Sequence, residues 1–225
     1  MDISAVSRKE VLRYLGYKGT MEIQGAVEDE VEACLELLGQ KAEPKHLVRS
    51  FPLRLGTEYE IDCGCFCTRI NNLSKNLQEC QMVLVFAATL GLGTDYVIQK
   101  YNHLQMSRAV ILQAAATAMI EEYCDQVCRE LKERYEAGEW YLRPRFSPGY
   151  GDFPLECQSS LLDGLEAGKR LGIRLTSGCL MMPSKSVTAV MGLSRKPYRC
   201  EVKGCEACGK TDCAYRREKK KRGEG

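Results

Sequence analysis

Long helical stretches followed by short strands predict an α+β fold built on an antiparallel sheet. Three observations carry this reading. Residues 107 to 137 place Ile120, Cys124, Val127, Leu131 and Tyr135 on one stripe at helical spacing. The run Met82-Val-Leu-Val-Phe-Ala-Ala-Thr-Leu-Gly91 is continuously apolar and ends in glycine, which suits a strand buried on both faces. Residues 173 to 176 and 186 to 193 have strand character after the last helix. At 225 residues the chain is long enough to bury a core without staples. It divides into an N-terminal α+β segment (1 to 75), a core (76 to 197) and a cysteine-rich, basic tail (198 to 225).

Taken in order, Ser7-Arg-Lys-Glu10 is a capping-box pattern that opens a short helix through Leu15, closed by Gly16. Residues 22 to 38 form an amphipathic helix, with Val27, Val31, Cys34, Leu35 and Leu38 at helical spacing and Gly39 as its stop. Residues 45 to 55 and 57 to 70 are expected as strands around Gly56. Within the second, Cys63, Cys65 and Cys67 alternate, so on a strand they share one face. Such a row suits metal or redox chemistry, or small thiols packed under a sheet. Gly91-Leu-Gly93-Thr94-Asp95 leads into a helix; the third glycine of a dinucleotide-binding turn is missing. Residues 155 to 171 are expected as one helix between Pro154 and Gly172.

The formal charge of +2 gives no global field for nucleic acid or a membrane surface. The N-terminus opens on charged residues rather than a secretory signal, and no stretch has the apolar length to span a bilayer. Thirteen cysteines without an export signal fit buried thiols, metal ligands or redox groups in a reducing compartment, so a cytoplasmic location is expected. The two histidines, His46 and His103, belong to no nucleophile–base motif.

The stretch with most chemical content is Arg143-Pro-Arg-Phe-Ser-Pro-Gly-Tyr-Gly-Asp-Phe-Pro154. Prolines stiffen it, and glycines let the backbone turn or approach a ligand. Arg145 can take a carboxylate in a bidentate pair, and the backbone near Gly149 with the Tyr150 ring can hold a flat heterocycle. A small zwitterion fits that set; a proline-rich surface turn is the plain alternative.

The order Arg145-x-x-Pro148-Gly149-Tyr150, then an acidic helix, then Leu175-Thr-Ser-Gly-Cys-Leu-Met-Met-Pro183-Ser-Lys-Ser-Val187, resembles the activation domain of cobalamin-dependent methionine synthase in a free-standing form. The resemblance covers roughly residues 80 to 195. It implies a curved, C-shaped layer with helices about an antiparallel sheet. It also implies binding of S-adenosylmethionine, whose methyl group serves the reductive methylation of cob(II)alamin carried by a partner. The partner would be a cobalamin-binding methionine synthase or another corrinoid protein, with a separate electron donor. Because the cobalamin sits on the partner, naming this chain an enzyme is a matter of definition. By the same resemblance Arg145 holds the ligand carboxylate, the backbone of Ser147 and Gly149 with Tyr150 holds the adenine end, and Glu121 takes a hydroxyl or the ammonium. Glu122 is the rival for that last role, and Glu121 with Asp125 one turn on is otherwise a plain solvated helix face. The family's Thr-Leu-Gly segment makes the turn at Gly91 a border of the site. Where the family has a Tyr shortly after its Ser-Val, this chain has Met191.

Cys200-x4-Cys205-x2-Cys208-x4-Cys213 lies outside that resemblance. Four thiolates so spaced can wrap zinc or an iron–sulfur cluster, with Arg199, Lys203 and Lys210 offsetting their charge. Zinc would make a structural knuckle, and a cluster an electron relay. Two other readings of the chain stand beside reactivation. One is a non-catalytic S-adenosylmethionine or corrinoid-protein binding module or metal-binding sensor. The other is a zinc-dependent nucleic-acid binder built on the basic run from Arg216 to Arg222, for which Tyr198 and Tyr215 are the only nearby aromatics.

Overall fold

The structure is a computed structural model that describes residues 3–17 and 25–197. Along the chain run α1 (Arg8–Tyr14), α2 (Gly25–Lys41), β1 (Lys45–Pro52), β2 (Arg54–Leu55), β3 (Glu60–Asp62), β4 (Cys67–Arg69), α3 (Asn71–Asn76) and β5 (Met82–Thr89). They are followed by α4 (Leu92–Leu104), α5 (Met106–Glu136), β6 (Tyr141–Leu142), α6 (Cys157–Gly164), α7 (Ala167–Leu171), β7 (Arg174–Leu175), β8 (Met181–Met182) and β9 (Ser186–Ser194). The class is α+β, as the sequence predicts. A four-stranded antiparallel sheet in the order β1-β5-β9-β6 stands at the centre. No helix among the described residues is long and apolar enough to cross a membrane.

The sheet separates two cores, and strand periodicity assigns side chains between them. Leu84, Phe86 and Ala88 of β5 and Ala189, Met191 and Leu193 of β9 pack under α1, α2, α4 and α5. Val83, Val85, Ala87 and Val190 face the other way, onto Leu73, Phe146, Phe153, Leu161 and Ile173. β5 is therefore apolar throughout because both its faces are covered. The N-terminal segment joins the same layers: β1 pairs along its whole length with β5, and α1 and α2 pack on α5.

Local signals place most ends. Ser7 caps α1 by accepting from the Glu10 N–H at 3.3 Å. Gly16 at φ 90° closes it, with Gly16 N–H on the Arg13 carbonyl and Tyr17 N–H on Leu12, the paired bonds of a Schellman motif. The expected start of α2 at residue 22 lies outside the described residues. Its end differs from the expectation: α2 runs on to Lys41, because Gly39 serves as a contact point against Ile3 rather than as a stop. Gly93 does similar work. A Cβ there would meet the Lys41 carbonyl, so the glycine lets α4 lie close to the end of α2.

Three expectations are corrected. Cys63, Cys65 and Cys67 do not share a strand face. Cys63 N–H bonds the Phe66 carbonyl at 3.2 Å and Gly64 sits at φ 77°, so residues 63–66 form the tight connection between β3 and β4. The helix expected over 155 to 171 is two, α6 and α7, starting at Cys157 rather than beside Pro154. Arg49 donates to the Gly164 carbonyl at 3.1 Å, Cys65 packs on Gly164, and Glu166 takes a left-handed φ of 53° at the break. Residues 173 to 176 do not join the central sheet: β7 pairs with β8 in a hairpin of its own.

Gly93→Ala tests the close approach of α4 to α2. Relieving the clash requires a backbone shift, so stability in urea is expected to fall by about 1–3 kcal/mol. An unchanged unfolding midpoint would show that the two segments are not held this closely.

Candidate functional site

The site is built on the far edge of β9. β6 pairs with Ser194 and Leu193 there, Arg143 N–H bonds the Gly192 carbonyl at 2.8 Å, and Phe146 exchanges both backbone bonds with Val190 at 2.9 Å. Three steps along this segment match two along β9, so one residue is extra. Pro144, which has no N–H to give, sits in this bulge. The bulge re-aims the neighbouring side chains. Arg143 and Phe146 turn to the core beneath the sheet, where Arg143 Nη2 bonds the Gln78 carbonyl at 3.1 Å. Arg145 turns to the opposite face and meets α5.

There Arg145 Nη2 donates to Asp125 at 2.6 Å and to Glu121 at 3.3 Å. Its side chain is only 18% exposed, whereas the two carboxylates are about half exposed. Among the described residues its Nε and Nη1 have no hydrogen-bond partner, and the two carboxylates share Nη2, the nitrogen common to both edges of the guanidinium fork. Glu122 pairs instead with Arg129 at 2.7 Å, so of the two it is Glu121 that meets Arg145. The sequence marks Asp125 only as a neighbour of Glu121; the structure makes it the closer partner of Arg145.

After Phe146 the chain folds into two successive turns. Pro148 and Gly149 occupy the centre of the first, with Gly149 at φ 86° and Tyr150 N–H on the Ser147 carbonyl at 3.1 Å. Proline followed by a glycine with positive φ defines a type II turn. In the second, Phe153 N–H returns to the Tyr150 carbonyl at 3.1 Å. Gly149 N–H is committed to the Phe153 carbonyl at 2.8 Å, whereas Ser147 N–H and the Gly149 carbonyl have no partner among the described residues. Tyr150 rests edge-on against Phe146 at 5.4 Å and stays 47% exposed. Asp152 anchors the loop by accepting from Asn72 N–H, at the start of α3, at 3.2 Å.

Arg145 is not the only cation against this face of α5. Gln113, Thr117, Glu121 and Asp125 recur every four residues and so form one stripe. Lys185 Nζ donates to the Thr117 hydroxyl at 2.9 Å and to the Gln113 carbonyl at 3.3 Å, about 12 Å along the helix from Arg145. Burial lowers the Lys185 pKa, and Asp95 acts against that shift. Asp95, in the first turn of α4, accepts from Ser184 N–H at 2.7 Å and from its hydroxyl at 2.6 Å. The turn at Gly91 thus borders the Pro183–Val187 segment. Between Lys185 and Arg145, β9 has no strand neighbour beyond Val190 among the described residues. Alternation of the ladder turns the backbone N–H and carbonyl of Thr188 toward that edge. Neither Lys185 nor the Thr188 edge stands out in the sequence, because each acquires meaning only from its position beside α5.

Met191 is buried in the helix-side core, where the Cys128 thiol lies 3.7 Å from its sulfur. No group of three or more His, Cys, Asp or Glu among the described residues could hold a metal ion. Cys200, Cys205, Cys208 and Cys213, with the basic run beyond them, lie outside the described residues. A concavity of about 530 Å³ lies elsewhere, lined by Ser159, Asp163, Lys169 and Arg174 among others, and includes neither Arg145, Lys185 nor any residue of the Ser147–Tyr150 turn. The side-chain chemistry is concentrated at the β9 edge and α5, so that is where the site is placed.

No family model matches this chain, and no curated protein matches it significantly. Among solved structures it is similar to one described as the MetH reactivation domain bound to AdoHcy. The TM-score is 0.65 at 15% identity, over 85% of this chain and 76% of that one. The likeness establishes a shared fold.

Beneath Arg145 the core holds two thiols whose titration is displaced by burial, Cys124 up to about 12 and Cys128 up to about 11. Both keep their protons in the fold where an unfolded cysteine, near 9, has lost its own. Their contribution is complete below that value and is lost as pH climbs toward the folded values. Urea unfolding under reductant between about pH 8 and 10.5 is expected to show stability falling above about pH 9, approaching about 1.4 kcal/mol per pH unit for each thiol. The fall should be shallower in Cys124→Ala, and an identical slope would remove Cys124 from the account.

Proposed function

We propose that this protein binds S-adenosylmethionine at the β9 edge and presents its methyl group to a reduced corrinoid carried by a separate protein, as a reactivation subunit. The observation that carries the reading is Arg145. Its guanidinium pairs with the α5 carboxylates through Nη2 alone, just ahead in the chain of the Ser147–Tyr150 turn, on a fold shared with a reactivation domain.

Each part has a physical role. The ligand carboxylate displaces Asp125 from Arg145 Nη2 and takes Nη2 and Nε bidentately. Glu121 takes the ammonium. Ser147 N–H and the Gly149 carbonyl offer a donor and an acceptor to the adenine edge, and the exposed side of Tyr150 packs on the ring. The ligand supplies an electrophilic methyl and the partner a reduced cobalt, so this chain needs no general base. Its work is orientation, which can account for a large share of a rate enhancement. His46, bonded to Tyr123 at 2.8 Å on an exposed surface, is not required.

The C-terminal cysteines make a separate part of the proposal. Four thiolates at Cys200, Cys205, Cys208 and Cys213 would bind zinc or an iron–sulfur cluster. Anaerobic purification followed by metal analysis should return stoichiometric zinc, or iron with visible absorbance, and Cys205→Ser should lose it. Metal-free protein would exclude this part and leave the ligand site standing.

For the ligand site, calorimetric titration with S-adenosylmethionine is expected to show saturable binding. Arg145→Ala should weaken it about 100-fold, the equivalent of roughly 2–3 kcal/mol for a charge-assisted pair. Asp125→Asn should tighten it by about two- to fivefold, because a competitor for the guanidinium worth ~0.5–1 kcal/mol is weakened. Binding without methyl transfer to any reduced corrinoid protein would favour a non-catalytic binding module. No binding at all, or binding indifferent to Arg145, would remove the proposal.

A further inference from the structure

Cys63-Gly64-Cys65, in the turn between β3 and β4, brings two sulfurs together far from Arg145 in sequence. Their Sγ atoms lie 3.4 Å apart, in hydrogen-bond contact. The turn is braced at three points. Cys63 N–H bonds the Phe66 carbonyl at 3.2 Å, Gly64 N–H bonds the Asp62 carboxylate at 2.9 Å, and Gly64 takes the positive φ that lets both cysteines point the same way. Cys63 is fully buried, Cys65 is half-buried, and Cys67 on the following strand is exposed. One sulfur is therefore reachable from solvent, and its partner waits behind it.

We propose that Cys63 and Cys65 form a redox-active dithiol that closes to an intramolecular disulfide by exchange with external disulfides of the glutathione or thioredoxin class. In the first step the Cys65 sulfur attacks the external disulfide. Cys63 has first released its proton to water, so the Cys65 proton passes across the 3.4 Å contact to the Cys63 thiolate, and the first external sulfur leaves as a thiolate that takes up the proton released to water. In the second step Cys63 gives up a proton and attacks the Cys65 sulfur, expelling the second external thiol. Two protein thiols are oxidised and one external disulfide is reduced to two thiols.

The electrostatics agree with the geometry. The Cys65 S–H donates to Cys63 and draws its pKa below the usual thiol range, although burial opposes this. The second proton is held far above that range, first by its hydrogen bond to Cys63, then by burial, and then because its loss would leave a thiolate beside a thiolate. A pair that loses one proton easily and keeps the other is suited to nucleophilic attack. Buried thiols elsewhere lack this arrangement: Cys34, Cys80 and Cys124 are all shifted upward by burial.

The experiment uses the full-length reduced protein, equilibrated across glutathione buffers from fully reducing to fully oxidising, quenched in acid and alkylated. Trypsin releases residues 55–69, which carry Cys63, Cys65 and Cys67 and no other cysteine. The expected result is loss of two alkylatable thiols from that peptide, a mass lower by two hydrogens, and the remaining label on Cys67. Cys67→Ser should leave the bond intact, and Cys63→Ser should trap glutathione on Cys65. Three labelled thiols across the whole range, a Cys65–Cys67 bond instead, or a bond that forms only in urea would each overturn the proposal. The wild-type map decides the matter even if a serine variant fails to fold.

Discussion

The pairing of β5 with β9 is the interaction on which the other features rest. It joins Met82 to Leu193 at one end and Thr89 to Ser186 at the other, and both strands are buried along nearly their whole length. Neither face can be spared, because helices cover one and the α3–α6–α7 layer covers the other. With that ladder fixed, the far edge of β9 becomes a template of known register. The 141–146 segment must follow its donors and acceptors, and the bulge at Pro144 then decides which side each arginine takes. Arg145 reaches α5 because of backbone bookkeeping at Gly192 and Val190, not because of an attraction specified in advance.

Much of this was legible in the sequence where local rules dominate. β5 could be read from its unbroken apolar run, α5 from its stripe, α1 from Ser7 and Gly16, and the tight turn after Phe146 from Pro148 and Gly149. What was not legible depends on contacts distant along the chain. The break between α6 and α7 follows from Arg49 taking the Gly164 carbonyl, more than a hundred positions away. The cysteine row looked like a strand because alternation is the only local cue, whereas Gly64 in a left-handed conformation makes it a turn. Gly39 and Gly93 have the composition of a stop and of a phosphate turn, yet both are points of close packing. At the site, the identity of Arg145 could be read but its partners could not. Choosing among Glu121, Glu122 and Asp125 requires the rotation of α5 about its own axis, and that is set by the core.

In the proposed site the arrangement around Arg145 would favour a zwitterion over a simple anion. In the unliganded chain two carboxylates offset one guanidinium, and both are partly exposed. A bare anion entering beside them would meet their negative charge and would have to displace at least one. A ligand with a carboxylate and an ammonium exchanges like for like. Its carboxylate would replace one protein carboxylate on Nη2, its ammonium would pair with the carboxylate so released, and the local charge would be nearly unchanged. Electrostatic cost in a half-buried site scales with uncompensated charge, so this exchange favours such a ligand over one with a single charge.

The same packing places the two proposed sites in mechanical contact. Phe66, which closes the Cys63–Cys65 turn, lies 6.0 Å from Phe153; Phe153 lies 6.2 Å from Phe146; and Phe146 meets Tyr150 at 5.4 Å. Phe66, Phe153 and Phe146 are all buried in one core, and Tyr150 is the end of the series that solvent reaches. Interiors at crystal-like density do not absorb a displaced ring without moving its neighbour. Drawing two sulfurs from contact to bonding distance must change the turn that Phe66 closes. Because Asp152 ties the ligand loop to α3 on one side and Val190 ties it to β9 on the other, the least constrained response is at Tyr150. If the turn oxidises as proposed, its change of shape would reach the Ser147–Tyr150 loop through this packed series.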